Sequence, residues 1–286
     1  MTLRLEDVTL IHGDGDERVR ALDEVSLQVD PGELVAVVGP SGSGKSSLLA
    51  VAGALRTPDT GKVWVNDVEL TRASKAERGR LRRDRIGFVF QSFGLVPILS
   101  AAENVSVPLR LARTGAADRE QKVAVMLELV GLGKWGHAYP DELSGGMRQR
   151  VGLARALATE APILLMDEAF SALDPLIKRE MQDQLIELQD TLQRTIVFIT
   201  HDLNEAMRLG DRIAVLRQGH IVQIGTSEQI LQEPANDYVE KFVQDVDRTR
   251  VLTAASVMEP PRTVVVDTAG PRAALRTMRE EQTHAA

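Results

Sequence analysis

A stretch rich in glycine and serine, GPSGSGKSS at 39–47, follows directly on the apolar run ELVAVV and precedes the apolar run LLAVAGAL. This order predicts a buried strand, a tight turn and a helix, since glycine tolerates backbone conformations that a turn of this kind requires. Successive backbone N–H groups and the positive end of the helix dipole then face one point, which suits an anion. A Gly-Ser linker would have polar flanks, so we expect a phosphate-binding loop.

The residues of this loop have distinct expected roles. The Lys45 ammonium group would reach the β- and γ-phosphates of a nucleotide, and the Ser46 hydroxyl would be a ligand of Mg²⁺. Glycines would let the backbone approach the phosphates closely because they carry no Cβ atom. We therefore expect ATP and Mg²⁺ as cofactors, with nucleotide contacts from Gly39, Pro40, Ser41, Gly42, Ser43, Gly44, Lys45, Ser46 and Ser47.

The composition excludes some other classes of protein. The 286 residues include no cysteine, which excludes disulfides and thiolate metal sites, and the net charge of −7 argues against a nucleic-acid partner. The most basic stretch, 74–85, contains two acidic residues and no aromatic one, which favours a solvated helix face. No apolar run approaches the about 18 to 20 residues of a membrane span, and we see no signal peptide. We expect any membrane to be reached through partner subunits.

Polar side chains follow three more predicted strands: Gln91 after IGFVF, Asp167 and Glu168 at the end of ILLMDE, and His201 after TIVFIT. Because ligands bind beyond the carboxyl ends of strands in open α/β sheets, we expect these side chains to converge on the phosphate loop. Strand alternation would direct Asp167 to water around Mg²⁺ and Glu168 to the attacking water as general base. Gln91 would contact Mg²⁺ or that water. His201 would hydrogen-bond the γ-phosphate.

A second anion site is expected where Ser144, Gly145 and Gly146 open an amphipathic helix. The phosphate loop already holds the phosphates of its own nucleotide, so this second site is most useful facing a nucleotide bound by another copy. The pattern therefore predicts a head-to-tail dimer with ATP between the copies. An ordinary serine-capped helix is the alternative for this segment taken by itself.

Taken in order, these motifs closely resemble those of the nucleotide-binding subunits of ABC transporters, over about residues 2–250. Residues 39–47 match the Walker A motif, Gln91 the Q-loop and 143–149 the signature motif. Asp167 and Glu168 match the end of Walker B with its catalytic glutamate, 171–174 the D-loop, and His201 the switch histidine. The resemblance implies that Asp174 also lies at the nucleotide. His12 occupies the place of the aromatic residue that usually stacks on adenine in the family.

The resemblance also implies the architecture. We expect an α/β fold, a P-loop NTPase (RecA-like) core with an N-terminal antiparallel β subdomain and an inserted α-helical subdomain. The core would comprise 1–91 and 140–228, and the helical subdomain 92–139. Residues 229–286 would form a C-terminal helical extension and a truncated lead-in to the CBS regulatory module of quaternary-amine importers. We expect the tail after Thr253 to dock or fray, and to sense neither adenosine nor ionic strength.

Two branches of the family are represented. Up to about Pro108 the chain looks like macrolide and lipoprotein exporter ATPases, whereas from about Leu143 it looks like quaternary-amine importer ATPases. The expected function is an ATPase that energises transport of osmoprotectants such as glycine betaine. The alternatives are an exporter ATPase and, more remotely, a soluble ABC ATPase without a transporter or a regulator without hydrolysis. The resemblance implies permease subunits as partners and a cytoplasmic location on the inner face of the cell membrane.

Overall fold

An antiparallel sheet of four strands is formed by the N-terminal part of the chain. The computed structural model describes residues 2–13, 18–91, 94–244 and 246. The strands are β1 (Leu3–His12), β2 (Val19–Val29), β4 (Thr60–Val65) and β5 (Val68–Glu69), in the order β2-β1-β4-β5. The alternation of apolar and polar residues in the run KVWVNDVEL predicts one strand, but the run forms a hairpin. Asn66 has a φ of 50° there, a left-handed conformation that Asn tolerates in turns.

The second sheet has six strands in the order β10-β9-β3-β8-β7-β6. These strands are β3 (Leu34–Val38), β6 (Ile86–Val89), β7 (Ile163–Asp167), β8 (Thr195–Ile199), β9 (Arg212–Arg217) and β10 (His220–Gly225). All pair in parallel except β10, which is antiparallel to β9 at one edge. Every residue of β3 and β8 is buried, as expected for central parallel strands. The carboxyl ends of the five parallel strands therefore lie along one edge.

The described helices are α1 (Lys45–Ala52), α2 (Lys75–Arg85), α3 (Ala101–Leu111), α4 (Ala116–Leu129), α5 (Gly145–Ala158), α6 (Pro175–Leu192), α7 (Leu203–Leu209), α8 (Ser227–Gln232) and α9 (Asp237–Phe242). Most begin at a side chain that accepts a hydrogen bond from the first turn, as Ser74 and Ser100 do in capping boxes. Helices α3 and α4 pack against each other and against α5. The expected basic helix is α2, and none of its residues is buried.

The described residues all lie in one compact unit, Met1–Val246. The expectation for the tail after Thr253 lies outside the described residues. In the part that the structure describes, no helix combines the length and apolar composition that crossing a membrane requires.

Candidate functional site

A cavity of ≈ 590 Å³ lies at the carboxyl edge of the parallel sheet. It collects residues from the phosphate loop, from β1 and β2, and from the segments that follow β6, β7 and β8. The lining residues are His12, Val19, Ala21, Ser41, Gly42, Gly44, Lys45, Ser46, Ser47, Gln91, Glu168 and His201. The structure therefore brings together most of the side chains that the sequence assigns to the nucleotide.

The phosphate loop is closed by glycines that pack against backbone carbonyls. A Cβ atom at Gly39 would lie 2.0 Å from the Leu216 oxygen, and one at Gly44 would lie 2.2 Å from the Ala21 oxygen. Both glycines have positive φ, at 152° and 106°, so other residues would be strained as well as crowded. Gly42 also has positive φ, at 76°, but faces open space. The loop thus packs tightly on one side and leaves the other accessible.

Lys45 is buried, with only 7% of its surface exposed. Its Nζ donates hydrogen bonds to the carbonyl oxygens of Gly39 at 2.8 Å and Pro40 at 2.9 Å. Burial lowers the pKa of Lys45, opposed by the nearby carboxylates of Glu168 and Asp167. Both hydrogen-bond acceptors are uncharged, so the ammonium group keeps the capacity to attract an anion in the cavity.

Asp167, the last residue of β7, lies beside Ser46. Burial raises the pKa of Asp167, and the hydrogen bond from Ser46 opposes this shift. Its Oδ1 atom is buried and has no hydrogen-bond partner within the described part of the chain. A carboxylate oxygen in this position is an open acceptor next to a hydroxyl group, at the point where the loop passes into α1.

Glu168 follows the end of β7 and has a φ of 48°. The turn, rather than strand alternation, therefore determines where its side chain points, which corrects the reasoning from the pleat. Its Oε2 accepts a hydrogen bond from Gln91 Nε2 at 3.0 Å and lies 3.6 Å from His201 Nδ1. The Glu168 side chain is 19% exposed and that of His201 65% exposed. Three side chains from three separate strand ends thus meet at one point.

Gln149 is a residue whose contacts sequence reasoning missed. It belongs to the signature motif, yet it is buried and bridges two backbone groups of its own chain. Its Nε2 donates to the Glu168 carbonyl at 2.8 Å, and its Oε1 accepts from the Ala172 N–H at 2.9 Å. The Gln149 amide thereby holds the turn that carries the Glu168 carboxylate. Its place on the buried face of α5 was the available signal.

An ion-pair network supports the segment around His201. Lys178 of α6 contacts Asp202 at 3.0 Å and Glu205 at 2.6 Å, and Asp202 caps the start of α7. Glu205 is 6% exposed and also accepts a hydrogen bond from Thr200. The residues on either side of His201 are therefore tied to α6.

His12 contacts the loop from the opposite wall. Its Nε2 lies 3.0 Å from Ser47 Oγ. Within the single chain, the ring thus forms part of the cavity wall at the end of β1, where the family resemblance places a base-stacking residue.

Seven of the predicted nucleotide contacts do not line the cavity: Gly39, Pro40, Ser43, Ser144, Gly145, Gly146 and Asp174. Ser144 and Asp174 are exposed, and each caps its own helix. Ser144 Oγ accepts from the Met147 N–H at 3.2 Å, and Asp174 Oδ1 accepts from two N–H groups of α6. Gly39, Pro40 and Ser43 belong to the phosphate loop, where Gly39 and Ser43 are buried and Pro40 is exposed. The roles of all these residues stay predictions.

A parallel sheet with a glycine-rich loop between a strand and a helix at its carboxyl edge defines a P-loop NTPase fold, which confirms the expected fold class. A family model described as ABC transporter matches residues 22–171, and the chain belongs to this family. Two solved structures of the ATP-binding cassette MJ0796 are similar. One, a dimeric post-hydrolysis state bound to ADP and Pi, has a TM-score of 0.75 at 37% identity, covering 78% of this chain and 98% of that one. The other, also dimeric, has a TM-score of 0.76 at the same identity and coverage.

Several curated relatives are named as betaine transport proteins. The chain is 50% identical over 262 residues, 92% of its length, to the glycine betaine/carnitine transport ATP-binding protein GbuA of Listeria monocytogenes. It is 49% identical over 261 residues, 90% of its length, to the glycine betaine/proline betaine transport ATP-binding protein ProV of Escherichia coli. The chain spans 66% and 65% of the lengths of these relatives, somewhat less than two thirds. Matches of this length include most of the N-terminal half as well as the C-terminal half.

Proposed function

We propose that this chain binds and hydrolyses ATP as the nucleotide-binding subunit of an ABC transporter. The observation that carries the proposal is the meeting of Lys45, Gln91, Glu168 and His201 in one cavity at the carboxyl edge of the sheet. Each comes from a different segment of the chain. A structural role alone gives no reason for a buried ammonium, a carboxylate, a carboxamide and an imidazole to face the same open space.

The phosphates would lie against the loop, with the base near His12. Backbone N–H groups of the loop and the start of α1 supply donors for the β-phosphate, and Lys45 supplies the charge. The imidazole of His12, already in the cavity wall, would stack on the adenine ring. Gly42 leaves open the side of the loop that faces the nucleotide.

The residues present fit Mg²⁺, which binds oxygen ligands and keeps several of its waters. Ser46 and Asp167 would hold it, with Gln91 contributing its carboxamide oxygen. The buried Oδ1 of Asp167 is an acceptor with no partner among the described residues. Bound there, the ion would neutralise charge that develops on the β- and γ-phosphates.

Hydrolysis would depend on Glu168 as general base for the attacking water. Its carboxylate accepts a hydrogen bond from Gln91 and lies close to His201, so both neighbours orient it. His201, which is exposed to the cavity, would donate a hydrogen bond to the γ-phosphate and hold it in line with the water. Lys45 would stabilise the charge on the transferred group.

A second copy would complete the site. Ser144, Gly145 and Gly146 lie at the start of α5 outside the cavity of their own chain, so they would contact the nucleotide of a partner, and Asp174 would act across the same interface. The dimeric neighbours among solved structures support this arrangement.

Permease subunits would contact the segment after Gln91. Its apolar side chains Val96 and Ile98 are 38% and 82% exposed, and Phe90, just before Gln91, is 36% exposed. We propose a core of 1–91 and 140–228, a helical subdomain of 92–139 that grips the permease, and a C-terminal extension from 229. The names of the relatives favour a quaternary-amine importer over an exporter, and a cytoplasmic location at the membrane through the permease.

Replacing Glu168 by Gln tests the catalytic proposal. We expect ATP turnover to fall by on the order of 10² to 10⁴ while ATP binding is retained, because only the proton acceptor is lost. An ATP-bound dimer should then accumulate in size-exclusion chromatography. Glu180→Gln, at an exposed position of α6, is the matched control. Unchanged turnover in Glu168→Gln would remove Glu168 from the role of base.

Co-expression tests the transport proposal separately. The chain would be produced with a quaternary-amine permease and, in parallel, with a macrolide-type permease. We expect co-purification and stimulated ATPase activity with the first. Capture by the second alone would show that the segment after Gln91 determines the partner and that the importer assignment is wrong.

A further inference from the structure

A second cavity, of ≈ 480 Å³, lies at the amino edge of the parallel sheet. Its floor includes Pro162 and Arg194, which directly precede the paired first residues of β7 and β8. Helix α4 contributes Lys122 and Met126, and the end of α5 contributes Leu157. The cavity shares no lining residue with the one at the carboxyl edge. Its volume is within the range of pockets that hold small molecules.

The charge in this cavity is unbalanced at its buried end. Arg194 is 8% exposed, and its buried Nη1 atom has no hydrogen-bond partner among the residues that the structure describes. Burial lowers the pKa of Arg194, and the nearby Glu160 opposes the shift. A buried guanidinium nitrogen that lacks an acceptor is costly, since it has lost water without replacement. Arg194 therefore has unused capacity to donate to an anion.

The other charges are already paired at the rim. Lys122 Nζ lies 2.8 Å from the Glu160 carboxylate, and these side chains are 39% and 66% exposed. Counting Lys122, Glu160 and Arg194 together, the described part of the lining carries one net positive charge. Met126, Leu157 and Pro162 supply apolar surface between the rim and the guanidinium. An occupant that matches both features carries one negative charge and an apolar body.

We infer that this cavity is a binding site for a small monocarboxylate with an apolar chain or ring, whose carboxylate accepts a hydrogen bond from Arg194. The guanidinium fork suits a carboxylate, and the apolar part would cover Met126 and its neighbours. The cavity lies at the edge of the sheet opposite to the proposed ATP site. The two edges are separated by the five-residue strands β7 and β8, a span of about 16 Å.

Binding of defined probes to the full chain tests the inference. Octanoate combines a carboxylate with an apolar chain, octanamide has the same shape without charge, and inorganic phosphate is an anion without an apolar part. Affinity is measured by titration calorimetry, and the Met126 methyl signal in ¹³C-methionine spectra reports the location. We expect octanoate to bind and to shift Met126, and octanamide and phosphate to bind at least about tenfold more weakly.

Substitutions test whether octanoate binding depends on the charge of Arg194, with a second variant in case the first does not fold. Arg194→Gln should weaken octanoate binding by about tenfold or more, while Arg179→Gln, the same change at an exposed position of α6, should leave it unchanged. If Arg194→Gln does not fold, Met126→Trp keeps the guanidinium and narrows the cavity from a half-buried position, and it should also weaken binding.

Three results would overturn the inference. These are no octanoate binding at millimolar concentration, equal binding of octanamide, or octanoate binding that does not shift Met126 and is unaffected by either variant. Phosphate binding as tight as octanoate would show a plain anion site and contradict the amphipathic class.

Discussion

Replacing Gln149 by Leu should separate the positioning of Glu168 from nucleotide binding. Leu has a similar volume and suits a buried helix position, but it can neither donate to the Glu168 carbonyl nor accept from the Ala172 N–H. The Glu168 carbonyl keeps two other donors, the Ser171 N–H at 3.1 Å and the Ser171 hydroxyl at 2.9 Å. In the Gln149→Leu variant, the Ala172 N–H is therefore the one group of the turn that is left without its protein acceptor.

The expected stability loss follows from these partners. Each lost hydrogen bond lowers the free energy of unfolding by about 0.5 to 1.5 kcal/mol. Since Ala172 is exposed, water can solvate its N–H. We therefore expect the combined loss from the two hydrogen bonds to lie in the lower half of the possible range. We expect the free energy of unfolding to fall by about 1 to 2 kcal/mol in urea denaturation.

The expected kinetic effect is larger on turnover than on binding. Gln149 does not line the cavity, so the affinity for ATP should be unchanged. The Glu168 turn loses one of its supports, and displacement of the proposed general base would slow the chemical step, so kcat should fall by about tenfold to a hundredfold.

The positioning role of Gln149 is tested by measuring stability and kcat of Gln149→Leu beside those of a control variant. Gln121→Leu, at an exposed position of α4, controls for the loss of a carboxamide as such. Loss of stability in Gln149→Leu with kcat unchanged would refute the positioning role. Unchanged stability would show that the two Gln149 hydrogen bonds make no net contribution to the free energy of unfolding.

Three further predictions concern the phosphate loop, the ion-pair network of Lys178 and the contact of His12 with the adenine base. Gly44→Ala should abolish ATP binding and destabilise the fold more than Gly42→Ala, since only Gly44 faces a backbone oxygen at 2.2 Å; thermal melts compare them. Lys178→Met should lower the free energy of unfolding by about 1 to 3 kcal/mol at pH 7. Burial alone would raise the pKa of Asp202, but the hydrogen bond from Lys178 helps to lower it below its ordinary value. The stabilisation from this pair is therefore present above the pKa of Asp202 in the unfolded chain, and it should disappear as the pH falls through the pKa of Asp202 in the folded protein. His12→Tyr should tighten ATP binding about two- to tenfold in calorimetry if a stacked ring contacts adenine.

Convergence of the site was predictable because it follows from topology. Strands of a parallel sheet end at one edge, so an apolar run followed by a polar residue predicts both a strand and a place for that residue. Gln91, Glu168 and His201 each follow such a run, and the structure brings their side chains together. Helix starts were predictable for a similar reason, since Ser144 accepts from the first turn, as serine caps do.

Local backbone conformation was less predictable. The pleat rule predicts opposite directions for Asp167 and Glu168, yet the strand ends between them, and a positive φ at Glu168 sets its direction. Nothing in a run of apolar residues followed by two acids specifies that angle. The hairpin at Asn66 was missed in the same way, although Asn and Asp are both common turn residues.

Long-range packing was beyond sequence reasoning. Gln149 and Ala172 are far apart in the chain, and their hydrogen bond exists only because α5 packs beside the turn after β7. The Lys178 contacts with Asp202 and Glu205 likewise join two helices. Periodicity predicts that such faces are buried, but it does not predict which polar groups meet there.

The start of α5 shows why one chain leaves part of the proposed site unused. Ser144 Oγ already accepts from the Met147 N–H, so the hydroxyl is engaged within its own helix. Helix geometry leaves the N–H groups of Gly145 and Gly146 without intrahelical acceptors, because the first four donors of any helix lack them. What this segment offers a partner's nucleotide is therefore two backbone donors on a helix dipole, with the serine fixing their direction. Ser144→Ala should accordingly weaken ATP-dependent dimerisation in size-exclusion chromatography without weakening ATP binding to the single chain. Weakened ATP binding to the single chain would contradict the proposed division of the site between two copies.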